Sequence, residues 1–416
     1  MTDTHQQPVG CTTTGRKGKI LKRTSLTAIT MFAVACAGAA AQEPDSQNDV
    51  PSVEDVLIGQ RIRFPSVVLN CERTVSVHLP EGYTDNDNPY PVLFVLGGSY
   101  FVPFVGVTTY LARDGRIPEA ILVAVHSNDW VKDFTYDPVV DSAGVYAGSG
   151  GAELFRRFLA DELIPYIDAN YRSQPFRILV GHSLGGLFAV ETMTRHLGLF
   201  QVTIAISPSI FYNDGKWVDA LPGFLNDHPS ITHSLYLALA NESLIRPHME
   251  QAVFDLGRFA PIDLLHHFQA FPDETHVSVA LPAVRQGLKA VFTGWSFEDV
   301  EPWTVGPDGI KAHYDSLSTR FGVHFPIPLD DVVRNGFHAL EAHHDLDAAR
   351  EMFMLALSID AQSAESHVGL AEIFRQRGLT DLAVERCRRA LVIEPTNERA
   401  RRMLVELGEV PIRPSL

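Results

Sequence analysis

Cysteine is scarce in this sequence. There are four in 416 residues, and two of them, Cys11 and Cys36, fall within the first 41 positions. The remaining pair, Cys71 and Cys387, lie in different parts of the chain; a bridge is permitted, the spacing demands none, and a buried thiol is the expectation for each. No cluster of Cys and His has metal-ligand spacing. His343-His344 are adjacent on an expected helix, so they point in different directions and read as solvated surface. No metal or other cofactor is called for. Basic charge is also short, with 34 Lys+Arg against 50 Asp+Glu and a net charge of −16. So acidic a body does not offset phosphate repulsion, which excludes nucleic acid as a partner. Long hydrophobic runs are missing as well, and the apolar stretch Leu26–Ala35 is too short for a stable membrane span.

The N-terminus has the order of an export signal. The basic run RKGKILKR (16–23) precedes that apolar stretch, and small residues, CAGAAAQ (36–42), follow it. Residues 1–41 therefore read as a signal peptide cleaved after Ala41, which implies a periplasmic or secreted protein. Cys36 offers lipid attachment as the weaker alternative, since Ala33-Val34-Ala35 lacks the Leu usual before a lipidated cysteine. Residues 42–55 are polar and Pro-containing and read as a linker.

From 56 to about 300, strand-like and helix-like stretches alternate. Strands are expected at 66–70, 74–79, 91–96, 121–125, 177–181, 202–207, 234–240 and 264–271, and helices at 151–170, 184–196, 247–259 and 279–293. The first two strands read as an antiparallel opening. Most of the later ones are continuous apolar runs, as in a sheet covered on both faces, so the class is α/β with a mostly parallel sheet. Residues 301–329 read as a connector. In 330–410 no strand is expected; instead a 34-residue repeat matches Ala349, Ala356, Leu357 and Ile359 to Ala383, Ala390, Leu391 and Ile393. That period implies two tetratricopeptide-like helix pairs, with a third helix over 397–408 capping the second. Two pairs are fewer than normally stand alone, so this module is expected to pack on the preceding domain or on a second subunit.

The chemistry is concentrated in RILVGHSLGGLFAVETM (177–193). An apolar strand runs into Gly181-His182-Ser183-Leu184-Gly185 and a helix follows, the strand-turn-helix setting of a G-x-S-x-G nucleophile elbow. Glycines are needed there because side chains flanking so sharp a turn would meet the strand or the helix. The helix N-terminus behind Ser183 supplies positive potential and free N–H groups. A serine nucleophile needs a base and an orienting acid, in the chain order Ser, Asp/Glu, His. His276, in a polar loop between the last strand and the last helix of the sheet, is the candidate base. His182 faces elsewhere on the turn and reads as a brace, while His266 and His267 fall within a strand. Glu242, directly after the strand at 234–240, is the candidate acid, with Asp263, Asp273 and Glu274 as rivals. Leu184 N–H and Gly98 N–H, the latter in Gly97-Gly98-Ser99 after the strand at 91–96, are the candidate oxyanion donors. Phe211 and Tyr212 either line a substrate pocket or pack half-buried.

Residues 56–295 resemble the bacterial putative-esterase family of α/β-hydrolases, which includes siderophore (enterochelin) esterases, feruloyl and acetylxylan esterases and S-formylglutathione hydrolases. The resemblance is carried by VSVHLPEGYTDNDNPYPVLFVLGGSYF (75–101), GGAELFRRFLADELIPYIDANYR (150–172), RILVGHSLGGLFAV (177–190), AISPSIFYNDG (205–215) and the stretch from Glu242 to His276. It implies an α/β-hydrolase fold and hydrolysis of a small-molecule carboxylic ester by Ser183 and His276, with Glu242 at the acid position. The chain departs from the family at Gly97-Gly98, where an Asp-Gly pair is common, and at Trp130 and Lys132, where arginines often stand. Two other outcomes remain open: acyl transfer to an alcohol on the same machinery, and a non-catalytic scaffold whose repeats bind a protein partner or a second copy.

Overall fold

The structure is a computed structural model that describes residues 55–84, 86–139, 144, 146–296 and 306–410. The leader and linker expected over 1–55 lie outside these residues, apart from Asp55, as do Cys36 and the expected domain boundary at 300. An eight-stranded sheet forms the centre, in the order β1-β2-β4-β3-β5-β6-β7-β8. The strands are β1 (Gln60–Ser66), β2 (Cys71–His78), β3 (Tyr90–Leu96), β4 (Ile121–Val125), β5 (Ser173–His182), β6 (Val202–Ile206), β7 (His233–Leu239) and β8 (Leu264–Ala270). β2 pairs antiparallel with both β1 and β4, and every other pairing is parallel. β3, β4 and β6 are buried along their whole length, which is why they read as unbroken apolar runs rather than alternations.

The helices before the C-terminal region are α1 (Phe101–Arg113), α2 (Trp130–Phe134), α3 (Ala152–Arg157), α4 (Ile164–Asn170), α5 (Leu184–Arg195), α6 (Tyr212–Asp227), α7 (Arg246–Phe259) and α8 (Ala280–Val291). A π-helical turn, Phe158–Leu163, joins α3 to α4. One face of the sheet packs Leu93, Ile178, Ile204 and Tyr236 against α1 and α8; the other carries Phe94 and Leu179 against Phe155, Phe158 and Phe188.

Three departures from the sequence expectations concern the first strand, helix α1 and the cysteines. The first strand is QRIRFPS (60–66), while the apolar run expected at 66–70 is a turn with Val67 87% exposed. Glu162 holds that turn, accepting from Ser66 Oγ (2.5 Å), Val67 N (2.8 Å) and Val68 N (3.0 Å). Second, helix α1 is formed by FVPFVGVTTYLAR, whose β-branched residues, Pro and Gly argue against a helix locally. Burial of Phe104, Val105, Thr108 and Leu111, at helical spacing, outweighs those propensities. Third, Cys71 is exposed rather than buried; Cys387 is buried, its thiol pushed up to about 11, with burial as the main cause, and both are free.

Beyond the sheet come α9 (Gly306–Phe321), α10 (Leu329–Glu341), α11 (Leu346–Ile359), α12 (Ala364–Gln376), α13 (Thr380–Ile393) and α14 (Glu398–Glu406). The segment read as a connector thus holds a 16-residue helix. Its Ile310, Tyr314, Leu317 and Phe321 join Phe176, Phe292 and Trp295 in one core, and Val332, Met352 and Ala356 of the C-terminal helices belong to it too. Arg320 ties α9 to the end of α8 by donating to Thr293 O (2.5 Å) and Val291 O (3.1 Å). Residues Val56–Leu416 accordingly form one compact unit. The repeat positions Ala349 and Ala383, and Ala356 and Ala390, are all fully buried, where only a small side chain lets neighbouring helices approach.

Candidate active site

β5 lies between β3 and β6 at the middle of the sheet, so its C-terminal end opens on the centre of one edge. There the chain reverses through Ser183, at φ 58° and ψ −122°, directly into α5. The first helical bond is Leu187 N–H to Ser183 O (3.0 Å), so the N–H groups of Leu184, Gly185 and Gly186 have no intrahelical partner. A Cβ at Gly181 would lie 2.0 Å from Gly185 O, and the turn closes only because none is there. Ser183 N–H donates to Ile206 O (3.0 Å), fixing the elbow to β6.

The loops after β7 and β8 reach the same edge, because both strands run parallel to β5 through β6. Asn241 N–H to Glu274 O (3.0 Å) and Phe271 N–H to Leu239 O (2.8 Å) join the two loops. This brings His276 Nε2 to 2.9 Å from Ser183 Oγ and His276 Nδ1 to 2.6 Å from Glu242 Oε1. Glu242 is 15% exposed and its Oε2 is buried without a hydrogen-bond partner among the described residues. The rivals stand elsewhere: Asp263 and Asp273 are exposed, and Glu274 accepts from Ser278 Oγ (2.5 Å). A carboxylate only accepts, so Nδ1 carries the proton and Nε2 is free to accept from the serine hydroxyl. A base held in that tautomer beside a hydroxyl can take its proton and remain stabilised once charged.

His182 supports the base rather than the elbow. Its Nε2–H donates to His276 O (2.6 Å), which leaves Nδ1 to accept from Tyr100 Oη–H (2.7 Å). The two imidazoles stand 4.5 Å apart. Burial, with the neighbouring His276 as a second cause, pulls His182 down to about 4, so it stays neutral at ordinary pH.

Gly98 follows β3, the parallel neighbour of β5, and so lies on the same edge. It packs flat on the His126 ring, where a Cβ would come within 2.1 Å of Nδ1 and Cε1. His126 is in turn held by Ser76 Oγ at 3.0 Å. A Cβ at Gly97 would approach Trp130 Cη2 to 3.5 Å. The helix carrying Trp130 is anchored by the buried pair Arg73–Asp133, bonded at 2.7 and 2.8 Å, with Ser127 Oγ donating to Asp133 at 2.7 Å. Tyr212, a candidate pocket residue, belongs instead to the core: it is 4% exposed and its hydroxyl donates to Asp137 O (2.7 Å). Phe211 is half-buried against the same cluster. The residue of that loop that reaches Ser183 is Ser209, its N–H donating to Ser183 O (3.0 Å) and its Oγ 3.4 Å from Ser183 Oγ. Motif spacing carries no signal for Ser209, His126 or Tyr100, since each meets the site through a separate strand end.

Behind the elbow, Glu191 of α5 is 5% exposed, and burial, with Asp137 adding to it and Arg195 opposing, pushes its carboxyl up to about 7. The folded value lies above the ordinary 4.5, so between those two values the native state holds a proton that the unfolded chain has released. Stability from Glu191 therefore falls as pH rises from 4.5 to 7 and is flat above. Glu191→Gln is expected to match the wild type near pH 4 and to exceed it by about 2–3 kcal/mol at pH 8. Urea unfolding of both proteins at the two values checks this; equal stability at pH 8 would contradict it.

Residues 66–241 match a family model described as "Putative esterase". Ferri-bacillibactin esterase BesA of Bacillus subtilis (strain 168) is 32% identical over 276 residues, covering 60% of this chain and 94% of that protein. Among solved structures, an IroE-like serine hydrolase from Shewanella oneidensis superposes with a TM-score of 0.64 at 24% identity, covering 72% of this chain and 99% of its own. An uncharacterised protein from Capnocytophaga ochracea superposes with a TM-score of 0.56 at 19% identity, covering 84% of this chain and 99% of its own. At these identities the two structures speak for the fold alone.

Proposed function

On the premise that the chain belongs to the putative-esterase family and is a carboxylic ester hydrolase, we propose that it works through an acyl-enzyme on Ser183. The observation that carries the reading is the continuous line Glu242–His276–Ser183, with contacts of 2.6 and 2.9 Å. His276 Nε2 takes the hydroxyl proton as Ser183 Oγ bonds to the ester carbon and the carbonyl π pair moves to oxygen. The N–H groups of Leu184 and Gly98 hold that oxyanion. Collapse breaks the bond to the leaving alkoxide, which receives the proton from His276. Water then repeats the sequence on the acyl-serine, releasing the acid and restoring Ser183. Glu242 keeps the imidazole in the required tautomer and stabilises its cation.

The substrate class we propose is a siderophore-type or other aromatic or acyl ester. The relative BesA, matched over 94% of its length, supports the first of these. Export is part of the proposal and rests on the basic, apolar and small-residue order of 16–42. The C-terminal helices are proposed as tetratricopeptide-like pairs available to a protein partner or a second copy. In favour stand the burial of Ala349, Ala356, Ala383 and Ala390 and a groove lined by Phe337, Leu340, Val368, Arg399 and Met403.

The test uses the full chain with p-nitrophenyl acetate, a feruloyl ester and a tri-catecholate siderophore ester, together with a fluorophosphonate. Expected are hydrolysis of at least one ester, stoichiometric inactivation by the phosphonate, and a single adduct located by mass spectrometry on the peptide bearing Ser183. Turnover that survives the phosphonate, or an adduct elsewhere, would overturn the mechanism.

A further inference from the structure

We propose that Ser209 is a further catalytic residue, its hydroxyl donating a hydrogen bond to Ser183 Oγ whenever that oxygen carries charge. The inference rests on the reading of Ser183 as the nucleophile. Its geometry begins just beyond β6, at Ser207, a non-glycine residue at φ 38° and fully buried. So unusual a conformation persists only where its surroundings over-determine it. Here they do: Ser207 N–H donates to Ala238 O (2.8 Å) and Ser207 Oγ accepts from Ala240 N–H (3.1 Å). Pro208 comes next, seated against α5, where a Cβ on Gly186 would meet its Cα at 3.0 Å. The strained turn delivers Ser209, 5% exposed, with its N–H on Ser183 O at 3.0 Å and its Oγ 3.4 Å from Ser183 Oγ.

The direction of the hydroxyl contact follows from the rest of the site. Glu242 obliges His276 to carry its proton on Nδ1, so Ser183 donates its own proton to Nε2. The hydroxyl of Ser183 has one proton, already committed, and Ser209 must be the donor between them. At 3.4 Å the bond is long in the resting state, and contacts of this kind shorten when the accepting oxygen gains charge. Ser183 Oγ becomes negative twice, as it loses its proton in acylation and as it leaves the acyl carbon in deacylation. Ser209 thereby serves both steps. It exchanges no proton, which goes to and from His276.

The experiment compares the wild-type chain with Ser209→Ala and Ser209→Cys, neither of which touches the backbone bond to Ser183. Pre-steady-state p-nitrophenyl acetate kinetics and the rate of Ser183 phosphonylation are the readouts. In Ser209→Ala, kcat, kcat/KM and the phosphonylation rate are expected to fall together by about 10- to 100-fold with KM unchanged. Ser209→Cys, of similar shape but a weaker donor, falls between. Wild-type rates in Ser209→Ala would overturn the proposal. So would a fall in kcat alone with phosphonylation undiminished, which assigns Ser209 to the deacylating water, or full activity in Ser209→Cys, which assigns it to packing. A wild-type protein that takes no adduct on Ser183 would overturn the nucleophile assignment itself, and that outcome is separate from the others.

Discussion

Ser183→Ala is expected to lower kcat by about 10⁴- to 10⁶-fold while the protein keeps its native circular dichroism and unfolding transition. The size follows from the proposed mechanism: without Oγ no covalent intermediate forms, and the residual rate comes from binding and the oxyanion donors alone. His276→Ala is expected to cost a similar factor, and the double variant no more than either, because base and nucleophile act as one unit. A companion substitution makes the reading more exacting. Ser183 sits at φ 58° and ψ −122°, where a side chain is strained and glycine is not. Ser183→Gly is therefore expected to be as inactive as the alanine variant and more stable by about 1–3 kcal/mol. Paired assays of kcat and urea unfolding settle both points. Retained turnover in either variant would remove Ser183 from the chemistry, and a glycine variant less stable than alanine would mean that the elbow holds no strain.

The second large effect is expected at Gly98. Adding one methyl there places a carbon 2.1 Å from two atoms of the His126 ring, so the imidazole or the loop must move. The His126 ring is held by Ser76 Oγ, and its backbone N–H donates to Thr74 O at 3.0 Å, so ring and backbone are both tethered and have little freedom to withdraw. The loop gives instead, and Gly98 N–H leaves the position where an oxyanion donor is needed. Loss of one such donor corresponds to about 10²- to 10³-fold in kcat with little change in KM. Gly98→Ala is expected to show that pattern, and a second change, His126→Ala, to restore part of the rate by making room. Undiminished kcat in Gly98→Ala would take Gly98 out of the oxyanion site. A loss that His126→Ala leaves untouched would point to some other consequence of the methyl.

Much of the site was legible because it is written locally. The elbow needs Gly181, Ser183 and Gly185 within five residues, between an apolar strand and an apolar helix, and the chain supplies them in that order. Glu242 and His276 could be chosen because chain order and strand ends restrict where an acid and a base can stand in a parallel sheet. The choice of Glu242 over Glu274 was less constrained. In the structure Glu274 contributes its carbonyl to the joint between the two loops and its carboxylate to Ser278, which leaves Glu242 facing the imidazole. Helix α1 was illegible for the opposite reason: its local propensities are poor, and packing against the sheet and α8 makes it a helix.

The sequence by itself determined the α/β class, the elbow at Ser183 and the repeat period, since each rests on contacts or spacings between residues close in the chain. Tertiary structure alone decided what stands around Ser183. Ser209 meets Ser183 from beyond β6, Tyr100 meets His182 from beyond β3, and His126 backs Gly98 from beyond β4, brought together by strand pairing between segments far apart in sequence. It also decided that α9 is core rather than linker. A 16-residue stretch of modest apolarity buries one face, Ile310, Tyr314, Leu317 and Phe321, because Phe176, Phe292 and Trp295 offer it an aromatic surface, and which surface a helix meets is a property of the whole fold.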